Sequence, residues 1–260
     1  MDHIHLGQHL KVKTVSEEDT KGVFEIEGLY AGYGITIGNA LRRVLLSSLS
    51  GAAITQVKIK GVGHEFTTIE GVLEDVVEIL LNLKKIRFDF AVSYSDYETP
   101  EILTLKKKGE GEVTAGDIKE SSLVRVINKD QKIATITQKG VELEMELTIE
   151  KGLGYAPVES FKSDTLPVGV IQIDAIFSPI AKVNSVVENM RVGDRTDFNR
   201  VRFTIETDGT IKPSVALGKA AKILKQQFSK VLDGLDMNDD DVEAGEEKKE
   251  KKATKKKAKK

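Results

Sequence analysis

The chain has 260 residues, 40% of them hydrophobic, and a formal net charge of −2, so it is long enough to bury a core in one or two domains. It contains no cysteine, which excludes disulfides and thiolate metal sites and is consistent with a reducing compartment. No apolar run approaches the roughly 18 residues of a membrane helix and no secretory signal opens the chain, so we expect a cytoplasmic protein without membrane contact.

The most informative segment is the first predicted helix, which begins near Gly38 after a glycine-rich loop that starts at Gly32. At 3.6 residues per turn, four apolar residues share one face of this helix, while two adjacent arginines and a leucine point elsewhere. The helix therefore offers two docking surfaces. The apolar face consists of Ile37, Leu41, Val44 and Leu45, and the other carries Arg42, Arg43 and Leu46.

Alternation of apolar and polar residues predicts strands at Gln56–Lys60, Val141–Ile149 and Val201–Ile205. The last strand runs into Asp208-Gly209, a dipeptide typical of hairpin turns, which predicts a returning strand at Thr210-Ile211. Between the first two strands, the capping-box spacing of Thr67 and Glu70 predicts the start of a second helix that ends near Lys84-Lys85. Its apolar positions are Ile69, Val72, Leu73, Val76, Leu80 and Leu83.

A third helix is predicted after Pro213, because proline is tolerated in a first helical turn. Its apolar residues recur with the heptad spacing of a helix that packs against a partner, and a second apolar stripe widens that face. The alternative is a helix that lies on the chain's own sheet. We predict a dimer interface formed by this helix and the first one, with contacts from Ile37, Leu41, Val44, Leu45, Leu217, Ala221, Leu224, Phe228 and Val231.

Strands and helices follow one another without regular alternation, which predicts the α+β class with antiparallel sheet. The chain ends in a charged tail, residues 236–260, with seven acids up to Glu247 and nine lysines within Lys248–Lys260. We expect this tail to be disordered, because its composition cannot bury a core.

Catalytic and cofactor motifs are lacking. The glycines at 32, 34 and 38 do not have the spacing of a dinucleotide fingerprint, and no lysine followed by Ser or Thr completes a P-loop. The four histidines, His3, His5, His9 and His64, show no metal-ligand spacing. We therefore predict no catalytic, cofactor-binding or metal-binding residues in this chain.

Five blocks follow one another along the chain: Gly34–Ser48, Gly61–Gly71, Leu80–Lys84, Lys151–Tyr155 and Thr207–Ile211. Together they resemble the α subunit of bacterial RNA polymerase, or its plastid counterpart. The resemblance implies a non-catalytic homodimer on which the β and β′ subunits assemble, with ω and σ in the complex and magnesium held by the catalytic subunits. It implies a cytoplasmic protein that is nucleoid-associated as part of the polymerase.

The resemblance also implies a domain plan. Residues 1–50 and 169–235 form an antiparallel-sheet dimerisation domain with two interface helices, and residues 51–168 form an inserted β-rich domain. Lys84 resembles a lysine implicated in β′ binding. The residues implied to contact β are Asn39, Arg42, Arg43, Leu46 and Ser47.

The chain departs from the family pattern at Ser185 and Asn199–Val201, and we expect it to lack the small helical C-terminal domain that binds promoter DNA in the family. The lysines of the tail suggest sequence-independent attraction to phosphates, with a solubilising tail as the alternative. Two further alternatives to the scaffold are a stand-alone nucleic-acid-binding protein that uses the tail and an enzyme that uses the glycine loop.

Overall fold

A computed structural model describes residues 10–90, 99–161, 167–193 and 195–235 of the chain. The tail of residues 236–260 and the histidines His3, His5 and His9 lie outside these ranges. Within the described ranges, no helix combines the length and apolarity needed to cross a bilayer.

Three α-helices and fifteen strands form the part of the fold that these ranges describe. The helices are α1 (Tyr33–Ser47), α2 (Val76–Leu83) and α3 (Pro213–Gly234). The strands are β1 (Lys11–Glu17), β2 (Lys21–Leu29), β3 (Ser50–Ile59), β4 (Phe88–Phe90), β5 (Glu101–Lys108), β6 (Gly111–Thr114), β7 (Ile118–Lys119), β8 (Val124–Val126), β9 (Lys132–Ile136), β10 (Glu142–Leu153), β11 (Tyr155–Ala156), β12 (Val170–Gln172), β13 (Ala175–Ile176), β14 (Ile180–Val192) and β15 (Arg195–Thr207).

The first sheet joins the two ends of the described chain in the order β1-β2-β15-β14, with antiparallel pairing throughout. Helices α1 and α3 cover one of its faces and contact each other. The core between sheet and helices contains Phe24, Phe203, Ile205, Leu45 and Ala216. The carboxylate of Glu17 in β1 accepts a hydrogen bond from the Ser214 amide at 3.0 Å and so fixes the start of α3, where the sequence predicted it.

The second sheet has the order β7-β5-β10-β3-β4-β8. Strand β12 also belongs to this sheet and pairs with β3 at Gln56, Val57 and Lys58. The alternation predicted for Val141–Ile149 is confirmed in β10, where Leu143, Met145, Leu147 and Ile149 are buried in the larger core. The acids on the opposite face pair with lysines of neighbouring strands, as Glu144 does with Lys60 at 2.7 Å. Those acids therefore belong to a solvated, ion-paired face.

The predicted start of the second helix is wrong. Helix α2 begins at Val76, and its N-cap is Asp75, whose carboxylate accepts a hydrogen bond from the Glu78 amide at 2.7 Å. The Thr67 hydroxyl instead donates to the His64 carbonyl, so this residue closes a turn and caps no helix. Residues Val76, Leu80 and Leu83 are buried as the helical spacing predicted, but Leu73 is exposed.

The hairpin predicted at Asp208-Gly209 is also wrong. The turn exists, with Gly209 at a φ of +93° and the Asp208 carboxylate accepting from the Thr210 amide at 3.0 Å. The chain after the turn does not return as a strand, because it leads within a few residues into α3. The Asp208-Gly209 dipeptide therefore forms a tight turn, but this turn connects β15 to α3.

Glu74 is a buried carboxylate whose hydrogen bonds predict a measurable pH effect. Burial raises its pKa, but bonds from Lys132, the Thr135 amide and the Thr135 hydroxyl together lower the pKa below the ordinary 4.5. A carboxyl with a depressed folded-state pKa stabilises the protein above its unfolded pKa, and this stability is lost as pH falls through the folded value.

We expect Glu74→Gln to lower the free energy of unfolding by about 1.5 to 3 kcal/mol at pH 7, the range for hydrogen bonds to charged groups. Below pH 4.5 the difference from wild type should shrink as the wild-type carboxylate takes up its proton. Urea unfolding at pH 7 and pH 3.5 measures both values, with the exposed Glu146→Gln as the control. A difference that stays constant with pH would contradict this role of Glu74.

Candidate protein–protein interfaces

Helix α1 begins five residues earlier than the sequence predicted, and its glycines are part of the helix. Gly34 and Gly38 lie on its buried face, against the first sheet. A β-carbon at Gly34 would lie 2.7 Å from Asn199 Cβ and 2.8 Å from Val187 Cγ1, closer than side chains tolerate. The prediction of a glycine-rich loop up to Gly38 is therefore corrected: Gly34 and Gly38 belong to the helix, and Gly34 allows it to approach the sheet closely.

The side chain of Asn199 on β15 caps the start of α1. Its Oδ1 accepts hydrogen bonds from the amides of Gly32 at 2.9 Å and Gly34 at 3.4 Å, and its Nδ2 donates to Asn189 Oδ1 at 3.0 Å. The local N-cap residue, Gly32, has no side chain and adopts a left-handed φ of +88°. Asn199 thus satisfies the first amides of α1 from a distant strand.

We expect Asn199→Ala to lower the free energy of unfolding by about 1 to 2 kcal/mol, because buried amides at the helix start lose their acceptor. Urea unfolding measures the loss, and hydrogen exchange should show faster exchange at the amides of residues 32 and 34. The control is Asn184→Ala on the exposed side of β14, which should leave both measurements unchanged. Equal stability of the two variants would contradict the capping role.

The outer side of α1 carries all five residues that the resemblance assigns to β binding. The five are exposed and share one side of the helix, opposite the buried glycines. Among the described residues, no carboxylate lies within ion-pair distance of Arg42 or Arg43. The Ser47 hydroxyl donates to the Arg43 carbonyl at 2.8 Å. The five residues are Asn39, Arg42, Arg43, Leu46 and Ser47.

For three residues the predicted contact with a second copy needs correction. Leu41, Leu45 and Leu217 are buried in the chain's own core, and the exposed fraction of Leu45 is 0%. They fill the space between the helices and the sheet, so they have no surface left for a partner. Ile37, Val44 and Leu224 are partly buried at the edge of the same core.

The C-terminal half of α3 remains uncovered. Ala221 is exposed, and Phe228 and Val231 are exposed at 64% and 59%, on the side of the helix that continues the buried face of its first half. Leu235 extends this apolar ridge, and we call Phe228, Val231 and Leu235 the α3 ridge. The alternative of a helix lying on its own sheet therefore holds for the first half of α3 only.

Lys84, the residue implied in β′ binding, closes α2 as its C-cap residue, and its side chain is partly exposed. Its Nζ donates to Asp174 Oδ2 at 2.9 Å. The outer side of the same helix is apolar: Val77 and Leu81 are exposed and Leu73 lies just before them. This exposed face was missed, because Leu73 was assigned to the buried stripe of a longer helix and Val77 and Leu81 were not assigned to any face.

Sequence comparisons identify the family. A model of the RNA polymerase Rpb3/RpoA insert domain matches residues 57–178. The DNA-directed RNA polymerase subunit alpha of Roseiflexus castenholzii is 51% identical over 223 residues, which cover 86% of this chain and 67% of that protein. The subunit alpha of Symbiobacterium thermophilum is 46% identical over 240 residues, covering 92% and 74%, and that of Clostridium botulinum Eklund 17B is 47% identical with the same coverage.

The chain belongs to the family of bacterial RNA polymerase α subunits. It is therefore a protein of transcription, and the predicted α+β fold with an inserted β-rich unit is confirmed. The outer side of α1, the α3 ridge and Lys84 are therefore surface features of an α subunit. The exact domain boundaries and the role of each of these residues stay predictions.

Proposed function

We propose that this chain is the assembly scaffold of a DNA-directed RNA polymerase. Two copies associate through α3 and the edge of α1, and the dimer binds β through one copy and β′ through the other. The observation that carries the proposal is the outer side of α1, where five exposed residues, two of them arginines without ion pairs among the described residues, lie together. Arginine is enriched at protein interfaces because its planar fork binds carboxylates and carbonyls in two places.

The proposed division of labour follows from the arrangement of the lobes. We assign the first sheet, with α1 and α3 on one of its faces, to the first lobe, residues 1–50 and 169–235. The inserted lobe, residues 51–168, carries Lys84 and the apolar outer side of α2, which support contact with β′. Nucleotidyl transfer and its magnesium belong to β and β′ in this proposal, ω and σ join the complex, and the assembly is cytoplasmic and associated with the nucleoid.

Reconstitution tests the proposal as a whole. The chain is co-expressed with β and β′ of the same organism and purified through a tag on this chain. Native mass spectrometry then measures the mass of the complex. Two copies of the chain with one β and one β′ are expected. The scaffold would be overturned if the purified chain were a monomer at micromolar concentration, or if it bound DNA but neither large subunit. Either result would favour the stand-alone nucleic-acid-binding protein.

The lysines of Lys248–Lys260 suggest a weak, sequence-independent contact with DNA as a separate proposal. A chain ending at Leu235 should then bind DNA more weakly than the full chain, and the difference should vanish as salt rises. Equal binding by the two chains would favour a solubilising tail.

A further inference from the structure

Asp174 connects the end of α2 with the segment around Val158. One carboxylate oxygen accepts from Lys84 Nζ at 2.9 Å, at the end of α2, and the other accepts from the Val158 amide at 3.1 Å. Tyr155 on β11 lies near this carboxylate and helps to lower its pKa. Bonds from Lys84 and Val158 lower the pKa of Asp174, so the group is ionised at neutral pH.

The side chains around Asp174 lie at the surface. Tyr155 is 60% exposed, and its strand neighbour Ile176, directly opposite in the β11–β13 pair, is also exposed. The side chain of Lys84 is 23% exposed, and its ammonium group has three donors, of which Asp174 takes one. Asp174 therefore holds Lys84 at the surface, close to the exposed ring of Tyr155.

We infer that Asp174 is a positioning residue that holds Lys84 as a contact point for the β′ subunit. The inference rests on the proposed function, which takes Lys84 as a β′ contact, and adds Asp174 as the residue that orders it and the neighbouring Tyr155 ring as a direct contact. The partner surface must offer hydrogen-bond acceptors to the remaining ammonium donors, beside an apolar group that packs on the tyrosine ring.

The physical reason is the entropy of the lysine side chain. A free lysine loses rotamer freedom when a partner immobilises it, which weakens binding. In this chain the bond to Asp174 has already restricted Lys84 before any partner arrives. Since Asp174 acts through Lys84, removing its charge should matter only while Lys84 is present.

A double-mutant cycle tests this dependence. The variants Lys84→Ala, Asp174→Asn and their combination are assembled with β, and the affinity of each complex for β′ is measured by titration. Asparagine keeps an acceptor for the Val158 amide but removes the charge that holds the lysine, so the fold is preserved. Each single variant should bind β′ roughly three- to tenfold more weakly, and the double variant should be no weaker than Lys84→Ala alone.

Tyr155→Phe provides a second variant that keeps the ring and removes the hydroxyl, and it should weaken β′ binding by less than Asp174→Asn does. Capture of β and dimer mass serve as internal controls and should not change in any variant. Losses that add in the double variant, together with a lower melting temperature of Asp174→Asn, would assign Asp174 a purely structural role and overturn the inference.

Two outcomes separate the inference from the proposed function. If Lys84→Ala binds β′ like wild type, the Lys84 contact in the proposed function is wrong and the inference falls with it. If Lys84→Ala weakens β′ binding but Asp174→Asn does not, the contact stands and the positioning role of Asp174 alone is overturned.

Discussion

Replacing Phe228 and Val231 together by glutamate is expected to turn the dimer into single chains. Both side chains are exposed on the α3 ridge and lie outside the chain's own core. If the ridge packs against a second copy, four carboxylates enter one apolar interface, and an unpaired buried charge costs far more than an apolar contact contributes. The dissociation constant should therefore rise by at least about a hundredfold, since each 1.4 kcal/mol is a factor of ten.

Sedimentation equilibrium at micromolar concentration measures this change against the chain mass of 28.6 kDa. Ser229→Glu is the control for an added carboxylate, because it places one glutamate between the two positions but on the opposite side of α3. The control should remain dimeric, and the melting curve of the double variant should show a folded chain. A double variant that keeps the dimer mass would place the dimer contact elsewhere.

The predicted dimer face shows why burial within one chain is difficult to separate from burial between two. Leu217 and Phe228 belong to one heptad stripe of α3, yet the first is buried and the second is exposed. Leu217 packs in a core with residues of α1, β2, β14 and β15, and β2 lies nearly 200 residues away in the sequence, whereas Phe228 is outside this core. Helical periodicity identifies the apolar side of a helix but not the partner that covers it.

The errors in helix starts have a related cause. Gly34 and Gly38 resemble a flexible loop in the sequence, but their role depends on Val187 and Asn199, which approach only in the folded sheet. The cap from Asn199 to Gly32 spans 167 residues. Features that depend on neighbours in sequence, such as the start of α3 at Pro213 or the alternation of β10, were predicted correctly.

The candidate site could likewise be predicted only where it depends on residues that are neighbours in the sequence. The outer side of α1 follows from helical geometry and from the resemblance, and the structure brings its five residues together on one exposed side. The link between Lys84 and Asp174 crosses 90 residues and carries no local signal. The sequence did not reveal the exposed side of α2, because Leu73 fits the helical spacing although the helix starts only at Val76.

Replacing Arg43 by alanine is expected to impair capture of β strongly while leaving the dimer intact. Arg43 is exposed, has no ion pair among the described residues, and lies on the side of α1 that faces away from the core. An arginine that becomes buried at the centre of an interface typically contributes 2 kcal/mol or more, so affinity for β should fall by roughly thirtyfold or more. Arg43→Lys should recover only part of the loss, because lysine lacks the planar fork that binds two acceptors.

Pull-down of β over a concentration series measures the affinity, and sedimentation of the same samples measures the dimer. Arg125→Ala removes an exposed arginine from β8 in the inserted lobe and is the matched control for loss of charge. The α3 ridge variant and Arg43→Ala should then fail in different ways: the first loses the dimer, and the second keeps it but does not retain β. If Arg43→Ala captured β as well as the control does, the outer side of α1 would not be the β contact, although the α3 ridge could still form the dimer.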